Sequence, residues 1–263
     1  MTGRAIALQL GTPVPGMRLA GIANRTPSHA ERALRDTAVR AIVLIDGQID
    51  HTTGLYMLRE HRQPHEIWCT PPVQEDLTQG NPLFRLLGHY CGVERHRIVL
   101  DGAAFEVPGA ADLSLRAVPL SSKAAPYSPH RESPVPGDNI GMLISDRRSG
   151  RSAFYAPGLG EITPALFDLM CGADAVLVDG TFWTDDEMIR LGLSKKTARD
   201  IGHLPQSGAG GMIEWLDKLP ASTRRLLIHI NNTNPILDED SPERALLTQH
   251  RIEPCEDRMT IEL

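Results

Sequence analysis

The chain of 263 residues has little cysteine, no surplus of positive charge and no long apolar run, and each shortage closes off a class of protein. Its four cysteines, Cys69, Cys91, Cys171 and Cys255, stand far apart with no short spacing, which supports neither a disulfide framework nor a zinc knuckle. A reducing cytoplasm fits that usage. Lys and Arg total 27 against 33 Asp and Glu, a net charge of -6. Composition therefore offers no basic surface to neutralise nucleic-acid phosphates. No apolar run approaches the roughly 20 residues that a spanning helix needs, so no membrane insertion is expected. The opening MTGRAIALQLGTPVPGMRLAG lacks the sustained apolar core of a secretory signal. No repeat of fixed period is visible.

What is present begins at residue 38. Residues 1–37 show no period of 2 or 3.6 and read as an irregular arm; residues 38–263 read as one α/β domain. Short β-branched runs alternate there with turn signals and helical stretches, the pattern of a mixed sheet. Strands are expected over 38–45, 66–70, 113–120, 140–145, 152–156, 175–179, 225–230 and 259–263. The pair flanking DRRSGR reads as an antiparallel hairpin. Helices are expected at GLYMLREHR, at PPVQEDL, and over 164–170, 211–219 and 242–249, with DGQIDHTTG as a loop. Residues 121–139 carry four prolines and few apolar side chains, too long for an ordinary connector, and read as a lid or binding loop.

The chemistry gathers past strand ends, where side chains of an open α/β sheet converge on one rim. Asp50 and His51 follow the first strand, Asp179 closes AVLVD, and His229 sits near the end of RLLIHI. Two imidazoles and one carboxylate, from Asp50, His51 and His229, form the set that leaves open positions on non-haem Fe(II) for O2 and substrate. Zn(II) accepts the same ligands. An Asp before a helix also serves as a cap, and the spacing alone leaves both readings open.

The segment DGQIDHTTGL resembles the HxHxDH signature of the metallo-β-lactamase superfamily, with Asp46 and Gln48 in the places of the first two histidines and Asp50 and His51 retained. One branch is matched almost throughout from residue 41 to 263, through QIDHTTGL, LREHRQPHEIWCTP, PYSPHR, FYAPGLGE, LVDGTFWTDDEM, RDIGHLP and LIHINNTNPIL. On those motifs the chain resembles the family of pyrroloquinoline quinone (PQQ) biosynthesis protein B. The resemblance implies a four-layer αββα sandwich. It also implies a role in making PQQ as an iron-dependent hydroxylase of the tyrosine ring in a glutamate-tyrosine precursor, with O2 as co-substrate and Asp50, His51 and His229 as metal ligands. Two missing histidines argue against a two-zinc hydrolase. The family's other assigned role, carriage of PQQ or its precursor towards the periplasm, stands as the alternative. Partners implied are the precursor and other PQQ biosynthesis proteins. The glycine-rich opening and CxCxxC cluster usual in the family are absent from residues 1–37, so the N-terminal strands are expected to be incomplete. Sheet edges left exposed in that way favour association into a homo-oligomer.

Further residues join the candidate site. His203, titrating near working pH, is a candidate catalytic proton shuttle or ligand, or else a histidine at a helix end. Asp179 either binds metal or orients a ligand histidine. Asn231, Asn232 and Asn234 offer amides for a carboxylate or quinone oxygen, though Asn is also a turn residue. Arg131, with Tyr127 and His130, is placed to clamp an acidic substrate, or is a solvated loop residue.

Overall fold

The computed structural model describes residues 37, 39–256 and 259–262. The arm expected over 1–37 lies, Thr37 aside, outside them, as do the N-terminal strands expected to be incomplete. The chain divides into two compact units, the first holding the described residues up to 117 with 124–140 and 260–262, the second holding 118–123 and 141–259.

In the first unit β1 (Ile42–Val43), β2 (His65–Cys69) and β3 (Val93–Arg97) form a parallel sheet in that order, Ile42 opposite Ile67 and His65 opposite Val93. Their inward side chains meet Leu55, Val73, Leu77 and Leu87 in one apolar cluster. Two short helices, α1 (Ile49–Thr52) and α2 (Gly54–Met57), follow β1. The expected loop over 46–54 is corrected here, because Asp50 and His51 lie inside α1. The expected strand 38–45 shrinks to two residues, extended by one ladder bond from Leu44 N to Trp68 O at 2.9 Å.

Thr70 caps α3 (Pro71–Glu75), whose prolines occupy the first turn where no amide proton is missed. The Thr70 hydroxyl donates to Gly137 O at 2.6 Å, tying down the proline-rich segment. A π-turn (Asp76–Gly80) and α4 (Leu83–Leu87) lead to β3. The strands β4 (Ala104–Phe105) and β5 (Leu113–Pro119) then pair antiparallel. Of the segment over 121–139 read as a lid or binding loop, residues 124–139 are built into this unit. Ala124, Ala125, Ser128, Asp138 and Asn139 are buried, and Asn139 bridges to Asp46.

The expected hairpin of β6 (Ile140–Asp146) and β7 (Ser152–Ala156) lies, Ile140 aside, in the second unit. From β7 the order runs through β8 (Ala175–Asp179) and β9 (Arg224–Ile228) to β10 (Ile252–Pro254), all parallel. The final strand expected over 259–263 is corrected: residues 259–262 are not a strand, and the sheet closes on β10. Helices α5 (Pro164–Cys171), α6 (Glu187–Arg190), α7 (Met212–Asp217) and α8 (Pro242–Gln249) complete the unit. Phe154, Val176, Leu227 and Leu247 anchor its core.

All four thiols are free. Burial pushes the Cys69 thiol up to about 12 and the Cys255 thiol up to about 11, and lifts Cys91 as well.

Candidate metal centre

Each unit holds part of the predicted site. In the first, Asp46 leaves β1 and α1 begins three residues later, so the side chains of Asp46 and His51 meet. His51 Nδ1 lies 2.8 and 2.9 Å from the two Asp46 oxygens, and Asp46 Oδ1 also accepts from Gln48 N at 3.0 Å. A carboxylate so placed fixes the ring and aims Nε2 outward, the arrangement typical of a metal-ligating histidine. Asp50 stands beside it, its Oδ2 3.7 Å from His51 Nε2, with 62% of its side chain exposed against 13% for His51. Asp46 was not among the expected site residues, although its place in the HxHxDH pattern was the signal that could have found it.

The Tyr127 hydroxyl donates to Gly47 O in the same loop. Burial pushes its pKa up to about 12, against a hydrogen bond with Asn81 that pulls it down, so Tyr127 remains a donor. Arg131 donates from Nη1 to Ala124 O at 2.5 Å, and His130 Nε2 lies 3.1 Å from Glu75 Oε2.

In the second unit β8 and β9 end side by side, Asp179 opposite Ile228. The sheet register thereby delivers Asp179 and His229 to one rim. His229 leaves β9 at φ 56°, in the left-handed region that side chains other than glycine rarely adopt. The chain turns His203 towards the same rim after a left-handed Gly202 (φ 97°). The two imidazoles stack with centroids 5.4 Å apart and planes at 16°, and Phe182 packs edge-on against His203 at 5.8 Å.

Asp179 is fully buried, and its oxygens are well supplied with donors. Oδ2 accepts from Leu159 N at 3.0 Å and faces His203 Nδ1 at 2.6 Å, while Oδ1 accepts from Thr181 N at 3.0 Å and from the Thr181 hydroxyl at 2.5 Å. Burial alone would push this carboxyl up, but the imidazoles of His203 and His229 and these hydrogen bonds outweigh it and hold it below the usual range. Donor atoms of Asp179, His203 and His229 all lie within 4.8 Å of one another. Two imidazoles and a carboxylate suit a first-row divalent ion such as Fe(II) or Zn(II).

The asparagines after His229 are placed differently from one another. Asn231 donates to Thr233 Oγ1 at 2.6 Å, and Thr233 donates to the buried Glu187 at 2.5 Å. Asn232 is exposed. Asn234 is buried, donates to Gly180 O at 2.9 Å and caps the following turn at Ile236 N.

The β-lactamase superfamily domain signature matches residues 11–230. Coenzyme PQQ synthesis protein B from Azoarcus sp. (strain BH72) is 66% identical over 232 residues, covering 88% of this chain and 76% of that protein. The protein of the same name from Methylobacillus flagellatus is 61% identical over 236 residues, covering 89% and 77%. Among solved structures, Zn(2+)-bound PqqB from Methylobacterium extorquens superposes with a TM-score of 0.77 at 32% identity, covering 88% of this chain and 76% of that one. A diphosphatase of the PhnP family, at 17% identity and TM-score 0.56, shares the fold, covering 86% and 72%. The expected metallo-β-lactamase fold is thus the fold of this chain, and the chain belongs to the coenzyme PQQ synthesis protein B family.

Proposed function

We propose that this chain acts in PQQ biosynthesis as a metal-dependent enzyme, a non-haem iron hydroxylase of the tyrosine ring in a glutamate-tyrosine precursor. The observation that carries the reading is the pair of imidazoles, His203 and His229, stacked over a buried carboxylate that is itself fully hydrogen-bonded. That is a built site, and such sites in this fold commonly hold metal. The ligand set taken from the family resemblance is Asp50, His51 and His229.

Asp50, His51 and His229 would hold Fe(II), which with O2 and an external two-electron reductant would supply the chemistry of ring hydroxylation, one oxygen atom going to the ring and the other to water. The protein's own residues do the rest. Asp46 orients His51, and Asp179 orients His203, whose outward nitrogen accepts or returns the proton of the phenol. Asn231 and Asn232, with Arg131, are the proposed polar contacts for the carboxylates of the precursor. Zn(II) is the competing occupant, since PqqB from Methylobacterium extorquens was solved with Zn(2+) bound.

Anaerobic Fe(II) titration with metal analysis tests the reading, comparing wild type with Asp50→Ala and His229→Ala. One tightly bound iron, lost in both variants, together with oxygen-dependent product from the precursor, is the expected result. A wild type that binds PQQ tightly and turns over no precursor overturns the hydroxylase in favour of the carrier.

A further inference from the structure

Thr181 enters the reading above only as a donor to Asp179, yet its hydroxyl also lies against both imidazoles at the rim. Its Oγ1 lies 2.5 Å from Asp179 Oδ1, 2.7 Å from His229 Nδ1, 3.1 Å from His203 Nδ1 and 3.0 Å from the His229 carbonyl oxygen. The residue is buried, and its own carbonyl accepts from Asn231 N and Asn234 Nδ2, both at 3.2 Å, so the hydroxyl has little freedom to move away.

A hydroxyl has one proton to donate. Of the groups in reach that could accept it, the two Nδ1 atoms included, the Asp179 carboxylate is the nearest and is ionised, and charge-assisted bonds are the shorter and stronger ones. The proton therefore goes to Asp179, and towards its other neighbours Oγ1 can only accept. His229 Nδ1, at 2.7 Å, must then carry the hydrogen. The neutral His229 ring is left with its lone pair on Nε2, the nitrogen a divalent ion needs. The same count at His203, whose Nδ1 faces the acceptor-only Asp179 Oδ2, gives the same tautomer there.

We propose that Thr181 is a positioning residue which, by relaying the charge of Asp179, fixes His229 as the Nδ1–H tautomer and presents Nε2 for metal. The metal half of this statement rests on the reading of His229 as a ligand; the tautomer half does not.

The test is nitrogen-15 NMR of the histidines in the full-length metal-free protein, paired with Zn(II) affinity measured by competition against a chelating dye. Wild type is expected to show His229 protonated at Nδ1. Thr181→Val, which keeps the shape and removes the hydroxyl, is expected to populate the Nε2–H form and to weaken Zn(II) binding roughly 10- to 100-fold. His203 should keep its Nδ1–H signal, which certifies that the variant is folded. Thr181→Ser should restore both readouts. The proposal is overturned by a wild-type His229 protonated at Nε2, which needs no variant. It is equally overturned if Thr181→Val leaves tautomer and affinity unchanged, or if Thr181→Ser behaves as Val does. A wild type with the expected tautomer but no affinity for zinc refutes the metal reading and leaves the hydrogen-bond assignment standing.

Discussion

Asp76 is enclosed completely, and neither of its carboxylate oxygens has a hydrogen-bond partner among the described residues. Burial pushes its pKa up from 3.8 to about 6; the nearby Ser128 hydroxyl works against that, and the charge of Asp138 adds to it. The folded protein then holds this proton more tightly than the unfolded chain does. The stability linked to it is full below 3.8 and is lost as pH rises through about 6. Asp76→Asn should remove that loss. Its melting temperature is expected to exceed that of wild type by a few degrees at about pH 8 and to match it near pH 3.5, as thermal melts across that range would show. The same scale explains which site residues could be read in advance. His229 and Asp179 stood at the ends of apolar runs, where the sheet had to end. Thr181 carried no such mark, because a hydroxyl two residues past a strand looks like any turn residue until its partners are known, whereas Asp46 directly follows the apolar run AIVLI and stands where the HxHxDH pattern has a histidine. Asp76, in PPVQEDL, looks like an ordinary acid on a helix, and its burial is a product of tertiary packing alone.

At the scale of elements, β6 and β7 show how closely one strand dictates another. A Cβ added at Gly141 would meet the Phe154 ring at 2.8 Å and the Tyr155 carbonyl at 3.1 Å, and Phe154 is fully buried. Gly141→Ala is therefore expected to destabilise by about 1–3 kcal/mol, measured by urea unfolding. Helix starts are set by side chains instead. Thr163 accepts from Leu166 N at 3.3 Å to cap α5, and Ser241 accepts from Arg244 N at 3.0 Å to cap α8. Ser241→Ala should lose about 1 kcal/mol of stability in the same assay. Those signals, a hydroxyl followed by proline, are why α5 and α8 begin where the sequence predicts. The strands β7 and β8 were equally legible as apolar runs between turns. By contrast β3, VERHR, has an edge position and an exposed surface, so it carries charge where alternation would announce a strand. The misreading at the C-terminus has a similar cause. MTIEL alternates like a strand, whereas IEP is short and ends in proline, yet IEP has the partner: Ile252 pairs with Arg225 in the ladder to β9.

For the whole molecule, ordered motifs spread along the chain made the family legible even where single strands were not, because each motif fixes one turn or strand end of a shared fold. Metal occupancy should also be felt globally. An ion that binds the folded chain alone stabilises it by mass action, about 2.7 kcal/mol at roughly 100 times the Kd. Calorimetric scans with Zn(II) are expected to show a raised melting temperature that EDTA reverses, and that His229→Ala does not show. Among the described residues no helix is long and apolar enough to cross a membrane, and the net charge of the chain is -6. The thiols bear on what the proposed chemistry exposes the protein to. Sulfur attacks electrophilic rings as thiolate, not as thiol. With burial pushing the Cys69 thiol up to about 12 and the Cys255 thiol up to about 11, and lifting Cys91 as well, these sulfurs are held as thiols at neutral pH, the form that reacts poorly with an electrophilic ring.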